Sequence, residues 1–180
     1  MRLFTGLSID PEVLEKLARV LEKLRPSAKL KWSPVENLHI TSKFIGEWPD
    51  AKPGELEAAL ASVEPTGPIR IGISGFGFFP NPHRPRVFFA GVQASPEAHE
   101  LARRIDETLA TIGVKKEDRP YMPHLTLARI KNENVQGLRE QIASMTDFDF
   151  GSFEALEFHL YLSRAGAYQI LSSYSVLRTA

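Results

Sequence analysis

The chain contains no cysteine, which excludes disulfide staples, thiolate metal ligands and a cysteine nucleophile. It also lacks an excess of either charge, since 22 Lys and Arg face 22 Asp and Glu. A protein that coats long nucleic acid draws on many phosphate contacts, and this composition argues against that class. A local basic cleft holding one or a few phosphates is still allowed. No apolar run approaches the roughly 20 residues that a membrane-spanning helix needs. Met1 to Asp10 is too short and too interrupted for a signal peptide, so a cytoplasmic protein with no membrane partner is expected. What is there is ordinary for a globular fold: 180 residues, 43% hydrophobic and 24% charged, enough to bury a core.

The informative feature is a repetition. His-x-Thr occurs as His39-Ile40-Thr41 and again as His124-Leu125-Thr126, 85 positions later. The same shift brings Phe4 onto Phe89, Gly6 onto Gly91, Pro11 onto Pro96, Glu12 onto Glu97 and Ile45 onto Ile130. A short motif placed at one point of a duplicated unit implies one shared task.

Residues 2–9 read as a strand ending at Asp10-Pro11-Glu12, an N-cap with proline at the first helical position. Val13, Leu14, Leu17, Val20, Leu21 and Leu24 then recur at helical spacing. Strands are expected at 38–45, 69–79, 86–93, 124–130, 155–163 and 168–177, and helices at 55–63, 101–109 and 135–145. Ser95 repeats the N-cap, and Gly166 marks the last turn. The fold class expected is α+β: duplicated βαβαββ-like units forming two pseudo-symmetric lobes of antiparallel sheet, with outer helices around a central groove. The whole chain, 1–180, is taken as one domain with lobes at about 1–80 and 86–177.

On a strand, positions i and i+2 share a face. His39 and Thr41 therefore project together, as do His124 and Thr126, while Ile40 and Leu125 anchor the strands behind them. Two imidazoles and two hydroxyls converging on one point suit a phosphodiester. One neutral imidazole takes a proton from water and the other, protonated, gives a proton to the departing ribose oxygen. Threonine hydroxyls can donate to non-bridging phosphate oxygens, where charge builds up. No metal and no cofactor are expected, because neither motif has a carboxylate or third histidine at ligand spacing. Near symmetry leaves the acid and base roles open.

Asn37-Leu38-His39-Ile40-Thr41-Ser42-Lys43-Phe44-Ile45-Gly46 resembles the first signature of the two-histidine ("2H") phosphoesterases. Tyr121-Met122-Pro123-His124-Leu125-Thr126-Leu127-Ala128-Arg129 resembles the second. Phe76 to Pro80 and Pro85 to Val92 are similar to the middle segment of one branch, the RNA 2',3'-cyclic phosphodiesterases once named 2'-5' RNA ligases. Ser42 and Lys43 depart from that branch, which often has leucine and a neutral residue there. The resemblance implies hydrolysis of an RNA 2',3'-cyclic phosphate to a 2'-phosphomonoester, with His39 as proton donor and His124 as proton acceptor. It also implies 2'-5' ligation as the reverse reaction. Partners would be RNA ends or nucleotides bearing the cyclic phosphate, bound by a monomer. The competing reading is a non-catalytic nucleotide- or RNA-end-binding module using the same groove.

Further substrate-binding candidates are Lys43, Tyr121 and Arg129. Lys43 shares strand parity with His39 and should face the groove. Tyr121 is placed to stack a base. Arg129 belongs to the second signature, yet alternation puts it behind the strand unless a bulge intervenes. Phe44 is expected in the core, His159 is a weak groove candidate, and His83-Arg84-Pro85-Arg86 reads as a surface loop able to close over an RNA end.

Overall fold

The computed structural model describes residues 1–179. Among the described residues there are nine strands and four α-helices: β1 (Arg2–Ser8), α1 (Pro11–Leu24), β2 (Lys31–Trp32), β3 (His39–Glu47), α2 (Pro53–Ala61), β4 (Ile69–Phe79), β5 (Val87–Ala94), α3 (Pro96–Ala110), β6 (His124–Arg129), α4 (Gln136–Ala143), β7 (Asp149–Ala155), β8 (Glu157–Arg164) and β9 (Ala167–Ser175), of which β2 and β7 are not among the strands expected. Asp10 caps α1 by accepting from the Glu12 amide at 3.1 Å. Val13, Leu17, Leu21 and Leu24 form its buried stripe, worth roughly 1.5–3 kcal/mol per side chain in transfer terms. Ser95 holds the equivalent place before α3, but its hydroxyl accepts from the Arg70 amide at 3.0 Å rather than from its own helix.

Two antiparallel sheets carry the architecture, one in the order β3-β1-β8-β9 and the other β2-β6-β5-β4-β7. The 85-residue shift carries β1 onto β5, β3 onto β6, and β4 onto the stretch that contains β8. Yet β4 pairs with β5, and β8 pairs with β1. Each repeat therefore lends its third strand to the sheet of the other. Helices cross over as well, α1 packing on β7 of the second sheet and α3 on β3 of the first. Lobes at 1–80 and 86–177 consequently do not match the sheets, because a cut near 80–86 severs β4 from its partner β5. Local periodicity identifies a strand but not the neighbour that will hydrogen-bond to it, and here the neighbour is the other repeat.

Two register irregularities prepare the site. Between β1 and β3, Gly6 pairs with Thr41 and Thr5 with Lys43, so Ser42 is an extra residue. Between β5 and β6, Phe89 pairs with Thr126 and Phe88 with Ala128, so Leu127 is extra. Under the repeat, Ser42 corresponds to Leu127: both strands bulge at the same point, directly after His-x-Thr. A bulge re-aims every side chain beyond it.

Candidate active site

His39 opens β3 and His124 opens β6, and these strands, one from each sheet, approach each other. The Nδ1 of His39 lies 2.7 Å from the carbonyl of Asn37, and the Nδ1 of His124 lies 3.0 Å from that of Met122. A carbonyl only accepts, so Nδ1 carries a hydrogen in both rings and Nε2 holds the lone pair when the ring is neutral. The two motifs thus fix the same tautomer by the same device, a backbone carbonyl two residues upstream. His39 Nε2 sits 2.9 Å from the Thr41 hydroxyl. Its pKa is lowered chiefly by burial, opposed by the Asn37 hydrogen bond, with the charges of His124 and Arg129 adding to the lowering.

Matching aromatic rings back the two imidazoles. Phe4 lies 4.7 Å from His39 between ring centroids, and Phe89 meets His124 edge-on at 5.9 Å. Tyr161 stacks on Phe4 at 4.9 Å, and Tyr168 approaches His39 edge-on at 5.3 Å. Gly6 and Gly91 are the small residues of the repeat. A Cβ on Gly6 would stand 2.7 Å from the Ile40 carbonyl oxygen, and one on Gly91 would stand 2.3 Å from that of Ser74. Side chains at either position would force apart the backbone that carries the site.

Several expectations change beyond the bulges. Lys43 does not face the groove: it is 2% exposed. Its ammonium donates to Asp106 at 2.7 Å, to the Lys115 carbonyl at 2.6 Å and to Glu117 at 3.3 Å. Parity fails because Ser42 is inserted, which turns Lys43 inward against α3 and its following loop. The Ser42 hydroxyl is itself tied to Thr5 at 2.7 Å. The same insertion turns Phe44 outward, 60% exposed and 6.2 Å from Phe4, so it is not a core residue. In the second repeat, Leu127 and Ala128 are both buried and Arg129 emerges exposed. The bulge that Arg129 needed is present, and Phe44 and Arg129 are counterparts on opposite walls. Phe44 is an exposed ring beside Phe4 that alternation missed; only the shared bulge reveals it.

Tyr121 is half-buried, and its hydroxyl donates to the Thr41 carbonyl at 2.8 Å. The phenol is pushed to a higher pKa by burial, so it keeps that proton. It straps the approach to the second motif onto the first instead of presenting an open ring for stacking. His159 is 4% exposed, with Nδ1 2.8 Å from the Ser173 hydroxyl and Nε2 3.2 Å from that of Ser8. Both its nitrogens are occupied. Among the described residues, no group of three or more His, Asp or Glu side chains is placed to hold a metal ion, and no helix is long and apolar enough to cross a membrane.

The sequence profile of the family described as LigT like phosphoesterase matches residues 7–89 and 91–170. An RNA 2',3'-cyclic phosphodiesterase of Methanocaldococcus jannaschii is 38% identical over 91% of this chain and 91% of its own. One from Archaeoglobus fulgidus is 34% identical over 89% of each. A solved Thermus thermophilus structure, that of TT0787, superposes with a TM-score of 0.80 at 28% identity, covering 98% of both chains.

Proposed function

Because the chain belongs to the LigT-like phosphoesterase family, we propose that it opens RNA 2',3'-cyclic phosphates to 2'-phosphomonoesters without a metal. The carrying observation is the matched pair of imidazoles, each pinned through Nδ1 to a backbone carbonyl two residues upstream, which leaves the Nε2 lone pair of the neutral ring for proton transfer. In the reaction, His124 Nε2 takes a proton from water as the water oxygen bonds to phosphorus. The P–O3' bond breaks, and His39 Nε2 gives its proton to the leaving 3'-oxygen. The product carries a 2'-phosphate and a free 3'-hydroxyl. Running these steps backwards, with a ribose hydroxyl in place of water, would join 2'-5' ends. Water at its usual concentration favours hydrolysis by mass action.

The role assignment has a physical consequence at Thr41. Its hydroxyl has one hydrogen, and in the substrate-free groove that hydrogen serves neutral His39 at 2.9 Å. Burial favours that neutral form. An incoming phosphodiester brings a negative charge that favours the imidazolium. Once protonated, Nε2 becomes a donor, and the Thr41 hydrogen is released to a phosphate oxygen. Thr126 would serve the other oxygen. Arg129 supplies a cation beside the phosphate, and Phe44 an exposed ring on the facing wall for a base.

The decisive experiment is product analysis on an RNA ending in a 2',3'-cyclic phosphate, in excess EDTA. Turnover to a 2'-phosphate is expected; loss of activity on chelation, formation of a 3'-phosphate, or binding without turnover would each overturn the proposal. His39→Ala and His124→Ala should each lose about 10²–10⁴-fold in kcat, and Thr41→Val and Thr126→Val about 10–10³-fold. Roles separate on a nucleoside phosphodiester with a p-nitrophenolate leaving group, which departs without a proton. There His39→Ala should recover most of its rate and His124→Ala should not. The reverse pattern would exchange the two assignments.

A further inference from the structure

One cavity of the molecule lies away from the histidines. It lies between the β4–β5 turn and the β6–α4 connection, with a volume of about 620 Å³. His83, Arg84, Arg86, Lys131 and Arg139 line it, against a single carboxylate, Glu133. That carboxylate is already engaged, accepting from the Lys131 amide at 2.6 Å, and backbone hydrogen bonds lower its pKa. Among the described residues, none of Arg84, Arg86, Lys131 and Arg139 has a carboxylate oxygen within 4.0 Å. In a chain of zero net charge, three arginines and a lysine against one carboxylate make a local excess of positive charge.

The walls are braced. Asn81 Oδ1 accepts from the His83 and Arg84 amides at 3.0 and 2.9 Å. Arg86 donates its amide to Phe79 at 2.7 Å and accepts at its carbonyl from Ile130 at 2.8 Å. Arg139 lies 4.4 Å over the Phe78 ring and donates to the Pro82 carbonyl. The cations are therefore mounted on fixed backbone, so little loop ordering is needed on binding.

We propose that this cavity binds the phosphate backbone of a single-stranded RNA several nucleotides upstream of the reacting end. This rests on the cyclic-phosphodiesterase reading and narrows its substrate to oligonucleotide ends. Strand β6 links the two places, beginning at His124 and ending at Arg129, with Ile130 and Lys131 forming the cavity wall. Six residues of strand span about 20 Å. A stacked strand advances about 3.4 Å per nucleotide, so the cavity would meet phosphates up to about six nucleotides from the cyclic end. An acidic protein segment would also suit the charge. The ladder of phosphates leading away from the reaction centre, past Arg129, favours RNA.

The test is binding of a 5'-labelled eight-nucleotide RNA bearing a 3'-phosphate, followed by fluorescence anisotropy across a salt series. The protein is compared with a triple variant carrying Arg84→Ala, Arg86→Ala and Lys131→Ala. The variant should bind at least ten-fold more weakly near 0.1 M salt. Its slope of log affinity against log salt should fall by about 2, at about 0.7 per lost phosphate contact on a single strand. Hydrolysis of 2',3'-cyclic AMP should stay within about two-fold of the parent, since that substrate cannot span the distance. If the triple variant does not fold, Lys131→Glu on an exposed side chain should repeat the loss. Unchanged RNA affinity in a folded variant overturns the proposal, as does displacement of the RNA by polyglutamate as readily as by unlabelled RNA. If the parent opens no cyclic phosphate at all, the functional reading fails separately, and the anisotropy still decides the cavity.

Discussion

Burial acts on two histidines in the same direction with different consequences. His39 and His159 both have lowered pKa values, with desolvation as the first cause. In the unfolded chain a histidine titrates near 6.5. Between that value and the lower folded ones, the unfolded state binds more protons, so stability falls as pH drops through this window and is intact above it. His39 is a catalytic candidate, whereas His159 is held by Ser8 and Ser173, with the Glu157 carboxylate 4.0 Å from its Nε2 and partly opposing the effect of burial. His159→Gln should therefore shrink the loss in urea midpoint between pH 7.5 and pH 5.5 while leaving a working site at neutral pH. A variant as acid-sensitive as the parent would clear His159 of that role. The two catalytic candidates were legible as residues because a duplicated motif needs no structure to be noticed. The sealed state of His159 was not, since alternation names a face but not what lies over it.

At the level of the strand, one inserted residue decides the fate of its neighbours. Ser42 and Leu127 are extra in their ladders, so Lys43 is drawn in and Phe44 and Arg129 are sent out. Lys43 now neutralises Asp106 and Glu117 from the interior. Asp106 is 19% and Glu117 54% exposed, so solvent screens the carboxylates left behind, and loss of the ammonium's charged hydrogen bonds costs about 1.5–3 kcal/mol. Lys43→Ala should accordingly lower the unfolding free energy by that order, with little change in KM for the cyclic phosphate. A rise in KM without loss of stability would return Lys43 to the groove. Strands and helices with a clear period were readable to within a few residues, β4 at its full extent, Ile69–Phe79. Strand β2 is only two residues long, and β7 contains Gly151 at φ 107°, so neither offers a run of alternation to read.

The whole molecule is two repeats that cannot be parted. Strand β4 needs β5 and β7, while β1 needs β8. Fragments 1–85 and 86–179 should each lack cooperative thermal unfolding when expressed alone, because each leaves sheet edges unpaired and apolar faces uncovered. A sharp melting transition from either fragment would contradict the exchange. Sequence by itself determined the duplication, the fold class and the four groups of the paired motif, because these depend on periodicity and on identity at equivalent positions. Tertiary structure alone decided which strands pair, where the ladders slip and which side chains turn toward the groove. Those outcomes are set by hydrogen bonds between segments far apart in the chain, and no local pattern encodes them.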